Sequence, residues 1–333
     1  MQRTRQLGAA GPIVSRVGLG CMGMSGTYGS ADRDESIRTI QAALEAGVML
    51  LDTGDFYGMG HNELLIGDAL ASRRREDVVI SVKFGAQRGP DSSWLGYDAR
   101  PAAVKTALAY SLQRLRTDYV DIYRPARLDQ NVPIEETIGA IAELVQAGYV
   151  RYIGLSEVGA DTIRRAAGVH PICDLQIEYS LISRRIERTI LPTCRELEIG
   201  ITAYGVLSRG LISGHYRADA NPRDGDIRGR LPRFQGENLQ HNLSLVEELR
   251  AIANDKGATV AQIAFAWVLS RGEDIVPLIG ARRSDQLEEA LGALSLELNA
   301  EEEANIEHAV PPDAAAGDRY GAPQMADLDS ERT

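Results

Sequence analysis

Cysteine is scarce in this chain of 333 residues, and its placement excludes more than its number does. The three cysteines, Cys21, Cys173 and Cys194, form no C-x-x-C pair and no ligand set with the five histidines. That excludes a disulfide-stapled scaffold and a structural zinc site; reduced, mostly buried thiols and no metal are expected. Positive charge is also short, with 36 Lys and Arg against 47 Asp and Glu and a net charge of −11. A duplex-binding protein carries a basic face, and an anionic bilayer attracts one, so neither nucleic acid nor a membrane surface is an expected partner. A local cluster of arginines would still suffice for a phosphate. No apolar run reaches the ~18 residues of a membrane span, and MQRTRQLGAAG lacks the apolar core of a signal peptide. A cytoplasmic location is the expectation, and oligomeric state is unreadable.

What is present is ample apolar material, 44 % of residues, arranged in alternation. Strand-like runs occur at VGLG (17–20), VMLLD (48–52), VVISVK (78–83), YVDIY (119–123), YIGLS (152–156), CDLQI (173–177), ITAYG (201–205) and IVPLIG (275–280). Most are short and apolar without alternation, as in parallel strands buried on both faces. Helix-period segments lie between them. Ile37, Ile40 and Leu44 share a face, with Gly47 as a stop. Val104, Leu108, Leu112 and Leu115 share another, begun by Asp98 and Pro101. Pro133 opens a third, through Ile134, Ile138, Ile141 and Val145, ended by Gly148. Proline at the start and glycine past the end are the usual helix boundaries.

Eight strand–helix units predict an α/β fold, a closed (β/α)₈ barrel of TIM type, with an N-terminal β-hairpin, as a single domain over 1–333. An open doubly wound sheet is the alternative, and GLGCMG (18–23) does fit its G-x-G-x-x-G signature. The context fails, because MSGTYGSADRD follows instead of an immediate helix. A glycine-rich barrel loop that lets a ligand approach the backbone is the better reading. Segments 85–100, 210–236 and the tail 310–333 read as irregular. The first two follow the third and seventh strands, at the face where barrels of this kind build their sites. The tail is either disordered or a lid over that face.

The chemistry concentrates in LDTGDFYGMGHNE (51–63) and in VVISVK. Asp52 and Lys83 fall at the ends of adjacent strands, and Tyr57 follows the first. A phenol has an ordinary pKa of about 10, and a neighbouring ammonium lowers it by stabilising the phenolate. Lys83 would be that ammonium, Asp52 would orient it and keep it charged, and Tyr57 would protonate a carbonyl oxygen as hydride arrives.

The motifs DTGDFYGMGHNE, SVKFG, YVDIY followed by PIEETIGAIAELVQAGYVRYIGLSE, LQIEYSLISR, ITAYGVLSRG and PLIGARRSDQLEEAL occur in this order. In order and spacing the chain resembles an aldo-keto reductase over residues 4 to 310. The resemblance implies a barrel that binds NADP(H), with NAD(H) possible, and reversibly reduces aldehydes or ketones (EC 1.1.1.-). Tyr57 would be the proton donor, with Lys83 and Asp52 behind it. It further implies that Ser156, Glu157 and Gln176 hold the nicotinamide carboxamide, Glu157 standing where many members have asparagine. Tyr204 would stack on the ring. Gly205, Val206, Leu207, Ser208 and Gly210 would wrap the pyrophosphate, and Gly20, Cys21, Met22 and Asp52 would approach the cofactor from the first two strands. Gly280, Ala281 and Arg282 would grip the adenosine phosphate, with Gln286 and Glu289 on the helix beyond. Arg282 and Arg283 form a fork suited to a 2′-phosphate. Gln286 and Ala290 depart from the family's usual arginine and asparagine.

The largest departure follows the fourth strand. The family usually has a histidine there, donating to the substrate oxygen, whereas YRPARLD puts Ala126 in its place, followed by Arg127. Loss of one such donor typically costs ~10²–10³ in rate. Arg124, two residues back on the same strand face, could reach the site or pair with an interior carboxylate. His61 is a second candidate. Phe56, Trp94, Ala126 and Arg127 are the candidate substrate pocket, with Tyr97 nearby. A nicotinamide-binding sensor or regulatory subunit of low turnover is the competing function. A lyase using Lys83 as a Schiff base is a third, opposed by the adjacent Asp52.

Overall fold

Eight short parallel strands close on themselves in the computed structural model, which describes residues 4–91, 93–219, 222 and 225–332. They are β1 (Gly18–Gly20), β2 (Leu50–Gly54), β3 (Val79–Phe84), β4 (Val120–Pro125), β5 (Val150–Ser156), β6 (Ile172–Glu178), β7 (Gly200–Tyr204) and β8 (Ile275–Ile279). Each pairs with the next in chain order, and β8 returns to β1, so the barrel is closed. All eight lie on the apolar runs read from the sequence.

The three helices expected from apolar spacing are Arg33–Glu45, Pro101–Leu115 and Ile134–Gln146. Asp32 caps the first by accepting from the Glu35 amide at 2.7 Å. Pro101 opens the second. GLGCMG runs into a single 3-10 turn, Met22–Ser25, and the eight strands close into a barrel, so the open-sheet alternative falls away.

A hairpin of Thr4–Gln6 against Ile13–Ser15 lies at the N-terminal end of the barrel. At Gly8, which has φ +67°, a Cβ would meet the Cys173 carbonyl at 2.1 Å, so only glycine lets the hairpin press against the strand ends.

The barrel interior is layered because residues two apart on a strand share a face. Leu7, Val14, Leu50, Val79, Ile122, Val276 and Leu278 form its apolar floor. Above them Arg124 donates to Asp174 at 2.9 Å and to Ser81 Oγ at 3.0 Å, both charged side chains fully buried. Gly154 makes the room, since a Cβ there would lie 2.7 Å from Asp174 Oδ1. Asp52, Lys83 and Gln176 occupy the next level, toward the C-terminal face.

Two segments read as irregular are more ordered than expected. Part of 85–100 is an antiparallel hairpin, Ala86–Arg88 with Trp94–Tyr97, whose register shifts beside Gly96, at φ +102° within the second strand. The tail folds back over the C-terminal face with a short helix, Ala322–Ala326, and a buried Leu328. Of the lid and disorder alternatives, the lid holds. No described helix is long and apolar enough to cross a membrane.

Candidate active site

Register places the candidate catalytic groups. Asp52 pairs with Ser81, and Gly54 with Lys83, across β2 and β3. Lys83 Nζ lies 2.5 Å from Asp52 Oδ1, and both side chains are about 95 % buried, with 4 % and 5 % exposure. The other oxygen, Oδ2, accepts from Gln176 Nε2 at 2.6 Å and from Ser81 Oγ at 3.2 Å. The Asp52 carboxylate is thus fully engaged, and Ser81 is a partner that sequence reading missed. Its signal was its place two residues before Lys83, on the same face.

The Lys83 ammonium lies 5.1 Å from the centroid of the Tyr57 ring, so the two share one pocket. Phe56 packs edge-on against Tyr57 at 4.8 Å. The electrostatics differ from the expectation. Burial, then Asp52, push the Tyr57 phenol well above its ordinary value, and Arg127 pulls it down. Burial, helped by Arg124 and Arg127, lowers the Lys83 ammonium although Asp52 raises it. The reason is that desolvation acts on each group separately, while the Lys83 charge is balanced at short range by Asp52. Tyr57 therefore rests as a firmly protonated phenol.

Of the two groups considered as substitutes for a histidine at 126, neither faces the site. Arg124 is consumed by Asp174. His61 Nδ1 is bonded to Ser25 Oγ at 3.0 Å in an exposed position. Ala126 is 3 % exposed and its amide donates to the Phe84 carbonyl at 2.8 Å, which holds the end of β4 against the end of β3. Arg127 projects from there into the mouth, donating to the Ala126 carbonyl at 2.6 Å and to Tyr320 Oη at 3.4 Å. Trp94 is 44 % exposed on its hairpin, edge-on to Tyr97.

The tail supplies what no motif announced. Arg319 binds Glu157 through two nitrogens, at 2.8 and 2.5 Å, and Ser330 Oγ donates to Glu157 Oε2 at 2.7 Å. Tyr204 Oη donates to Glu157 Oε1 at 2.7 Å and lies 3.1 Å from Tyr320 Oη. Glu157, expected to face a carboxamide, thus has both oxygens committed to the tail and to Tyr204. Arg319 outweighs burial and holds its carboxyl well below the usual carboxylate range. The one sequence signal was Tyr320, the lone aromatic of the tail.

A nicotinamide dinucleotide can be tested against the remaining residues. Ser156 Oγ is buried with no hydrogen-bond partner among the described residues, beside Gln176, with which it shares a register position. Tyr204 is only half-buried, at the end of β7. Gly20 and Gly280 have space in front of them: a Cβ on Gly20 would find nothing nearer than 3.7 Å, and one on Gly280 nothing within 4 Å. The loop Gly205–Val206–Leu207–Ser208–Arg209–Gly210 is tightly wound, with Gly205, Ser208, Arg209 and Gly210 all at positive φ. Arg282 donates to the Tyr28 carbonyl at 3.0 Å, and burial together with Arg228 and Arg283 lowers its guanidinium from the ordinary value. Arg228 and Arg283 are paired with Asp226 and Asp285, which leaves Arg282 as the guanidinium without a carboxylate among the described residues; with the unpartnered buried hydroxyl, it fits a phosphorylated, amide-bearing ligand. Cys21 and Ala281 are buried behind this surface, and Met22 is half-buried in the turn. Gln286 Oε1 accepts from the Arg282 amide at 3.2 Å, whereas Glu289 is taken by His215 at 3.0 Å.

Residues 16–311 match the family model described as aldo/keto reductase family. The chain belongs to that family. A probable aldo-keto reductase 1 from Glycine max is 43 % identical over 318 residues, covering 95 % of this chain and 91 % of its own. Among solved structures, a glycerol dehydrogenase from Gluconobacter oxydans superposes with TM-score 0.84 at 30 % identity, covering 92 % of this chain and 94 % of its own. An aldo/keto reductase from Klebsiella pneumoniae, solved in complex with NADP and acetate, gives TM-score 0.74 at 26 % identity over 96 % and 99 %. Membership of the aldo/keto reductases makes the chain an oxidoreductase fold for carbonyl groups and a nicotinamide cofactor.

Proposed function

We propose that this aldo/keto reductase is an NADP(H)-dependent reductase of small aldehydes or ketones, with Tyr57 as the general acid. The observation that carries the reading is the buried Lys83–Asp52 pair set beneath the ring of Tyr57. When bound, the reduced nicotinamide supplies hydride to the carbonyl carbon. Ser156 and Gln176 would hold its carboxamide, and Tyr204 would offer a stacking face. The protein's own task is to deliver a proton and to tolerate charge on oxygen. As the carbonyl oxygen gains negative charge, Tyr57 Oη gives up its proton to it. The phenolate left behind is stabilised by the Lys83 ammonium, which is held by Asp52, itself fixed by Ser81 and Gln176. Arg282, next to Arg228 and Arg283, favours a 2′-phosphate and hence NADP(H) over NAD(H); the Klebsiella pneumoniae relative is an NADP complex.

The test is NADPH oxidation with a panel of reactive aldehydes, beside Tyr57→Phe. We expect kcat to fall by at least about 10²-fold, with NADPH affinity unchanged by fluorescence titration. Equal rates for the two proteins would remove Tyr57 from the role. A second reading, a nicotinamide-binding sensor of low turnover, draws on Ala126 and on the tail's hold on Tyr204 and Glu157. Tight NADPH binding with no oxidation by any carbonyl would favour it.

A further inference from the structure

Ion pairs fill much of the barrel mouth, and the guanidinium of Arg127 stands outside them. Lys83 is matched by Asp52, Arg319 by Glu157, and Arg209 and Arg233 share Glu178 at 3.2 and 3.4 Å. Arg127 has no carboxylate within ion-pairing distance among the described residues; its hydrogen bonds go to the Ala126 carbonyl and to Tyr320 Oη. The field of Glu157 reaches it, but that carboxylate is already held by Arg319. The guanidinium is half-buried, and against burial its surroundings favour the charged form, so a cation with no carboxylate of its own stands ready for an anion.

The place of this charge identifies the anion. Arg127 leaves the end of β4 beside the end of β3, which carries Lys83. Its Nη2 lies 3.4 Å from Tyr320 Oη, and that hydroxyl lies 3.1 Å from Tyr204 Oη. The guanidinium thus lies at the mouth, hydrogen-bonded to Tyr320, with the Tyr57–Lys83 pair within its field. Its field acts on both members of that pair, pulling the Tyr57 phenol down and the ammonium down with it. Tyr320 is held between Arg127 and Arg209, which lower its phenol against the opposing effect of burial.

We propose that Arg127 is a further catalytic residue, its N–H groups stabilising the oxygen of the carbonyl as it becomes an alkoxide. The proposal rests on the reductase reading above. Two electrons enter the carbonyl carbon with the hydride from the reduced nicotinamide, the C=O π pair moves to oxygen, and oxygen takes the Tyr57 proton. Arg127 contributes charge and hydrogen bonds but no proton, because a guanidinium stays protonated throughout. The methyl of Ala126 leaves this electrophilic role open, and Arg124 is too deep and too firmly paired to take it.

The test compares Arg127→Met, Arg127→Lys and the double variant Ala126→His with Arg127→Met, using NADPH and both a neutral and a carboxylate-bearing benzaldehyde. Arg127→Met should lower kcat by about 10²-fold for both aldehydes with little change in KM. Arg127→Lys should retain part of the rate, and the histidine should restore most of what methionine removes. A second readout needs no turnover. In tyrosine labelled with ¹³C at the ring ζ-carbon, with the Tyr57 signal assigned by Tyr57→Phe, the phenol should titrate at higher pH in Arg127→Met. Thermal stability should change little in that variant, since no ion pair is broken, whereas a structural role would lower it. Turnover that survives Arg127→Met overturns this role alone. A loss confined to KM for the acidic aldehyde also overturns it, in favour of substrate anchoring. Wild-type protein that reduces no carbonyl overturns the reductase reading, and this role with it.

Discussion

Arg319 reaches across 162 positions of sequence to hold both carboxylate oxygens of Glu157, at 2.8 and 2.5 Å. Glu157 is completely buried and Arg319 is 6 % exposed. Removing one partner strands the other charge in a dry place. Arg319→Met should therefore destabilise the protein by about 3–5 kcal/mol, and Glu157→Gln with Arg319→Met together by clearly less. Chemical denaturation of the single and double variants measures this. Equal losses in the two would show that the pair does not anchor the tail. Because Arg319 holds the Glu157 carboxyl down, this contribution is present at neutral pH and fades on acidification.

Asp55 carries the opposite sign. Burial, reinforced by Glu63, pushes its carboxyl up to about 7, and its Oδ1 has no partner among the described residues. The folded state then binds more protons than the unfolded state between the ordinary aspartate value and 7, so stability falls as pH rises through that window. At about 1.4 kcal/mol per pKa unit, the decline from pH 5 to 8 amounts to roughly 3 kcal/mol. Asp55→Asn should flatten this part of the stability profile. A wild-type profile that rises from pH 5 to 8, with no change on substitution, would contradict the assignment.

Arg282 should discriminate between the two nicotinamide dinucleotides. Among the described residues it has no carboxylate partner of its own, and Arg228 and Arg283 lower it with like charge. Arg282→Met should weaken NADPH binding about 10- to 100-fold, the equivalent of one charge-assisted contact, and leave NADH nearly unchanged. Isothermal titration with each dinucleotide reads both constants. Parallel losses for NADPH and NADH would mean that Arg282 does not meet the 2′-phosphate.

Much of the architecture was legible beforehand because it depends on local pattern. Buried parallel strands need continuous apolar runs, and crossover helices need apolar spacing with proline and glycine at their ends. Runs such as VVISVK and ITAYG satisfy those needs within a few residues. The Asp52–Lys83 pair was readable for the same reason: each closes an apolar run, and in a barrel adjacent runs end side by side. The hairpin inside 85–100 was not readable, because its strands are short and half-exposed and lack a clear alternation.

The sequence by itself determined the barrel, the order of its strands and the carboxylate, phenol and ammonium at their ends, because chain-neighbour periodicity and strand adjacency dictate all three. Only the tertiary structure decided which charges are matched. Arg124 and Arg127 stand three apart on one segment, yet Asp174 neutralises the first and no described carboxylate pairs with the second. Glu157 finds its counter-ion in a tail that no spacing rule connects to it. Ion pairing depends on distances through space of a few ångströms and on exclusion of water, and neither quantity is encoded in the separation of residues along the chain.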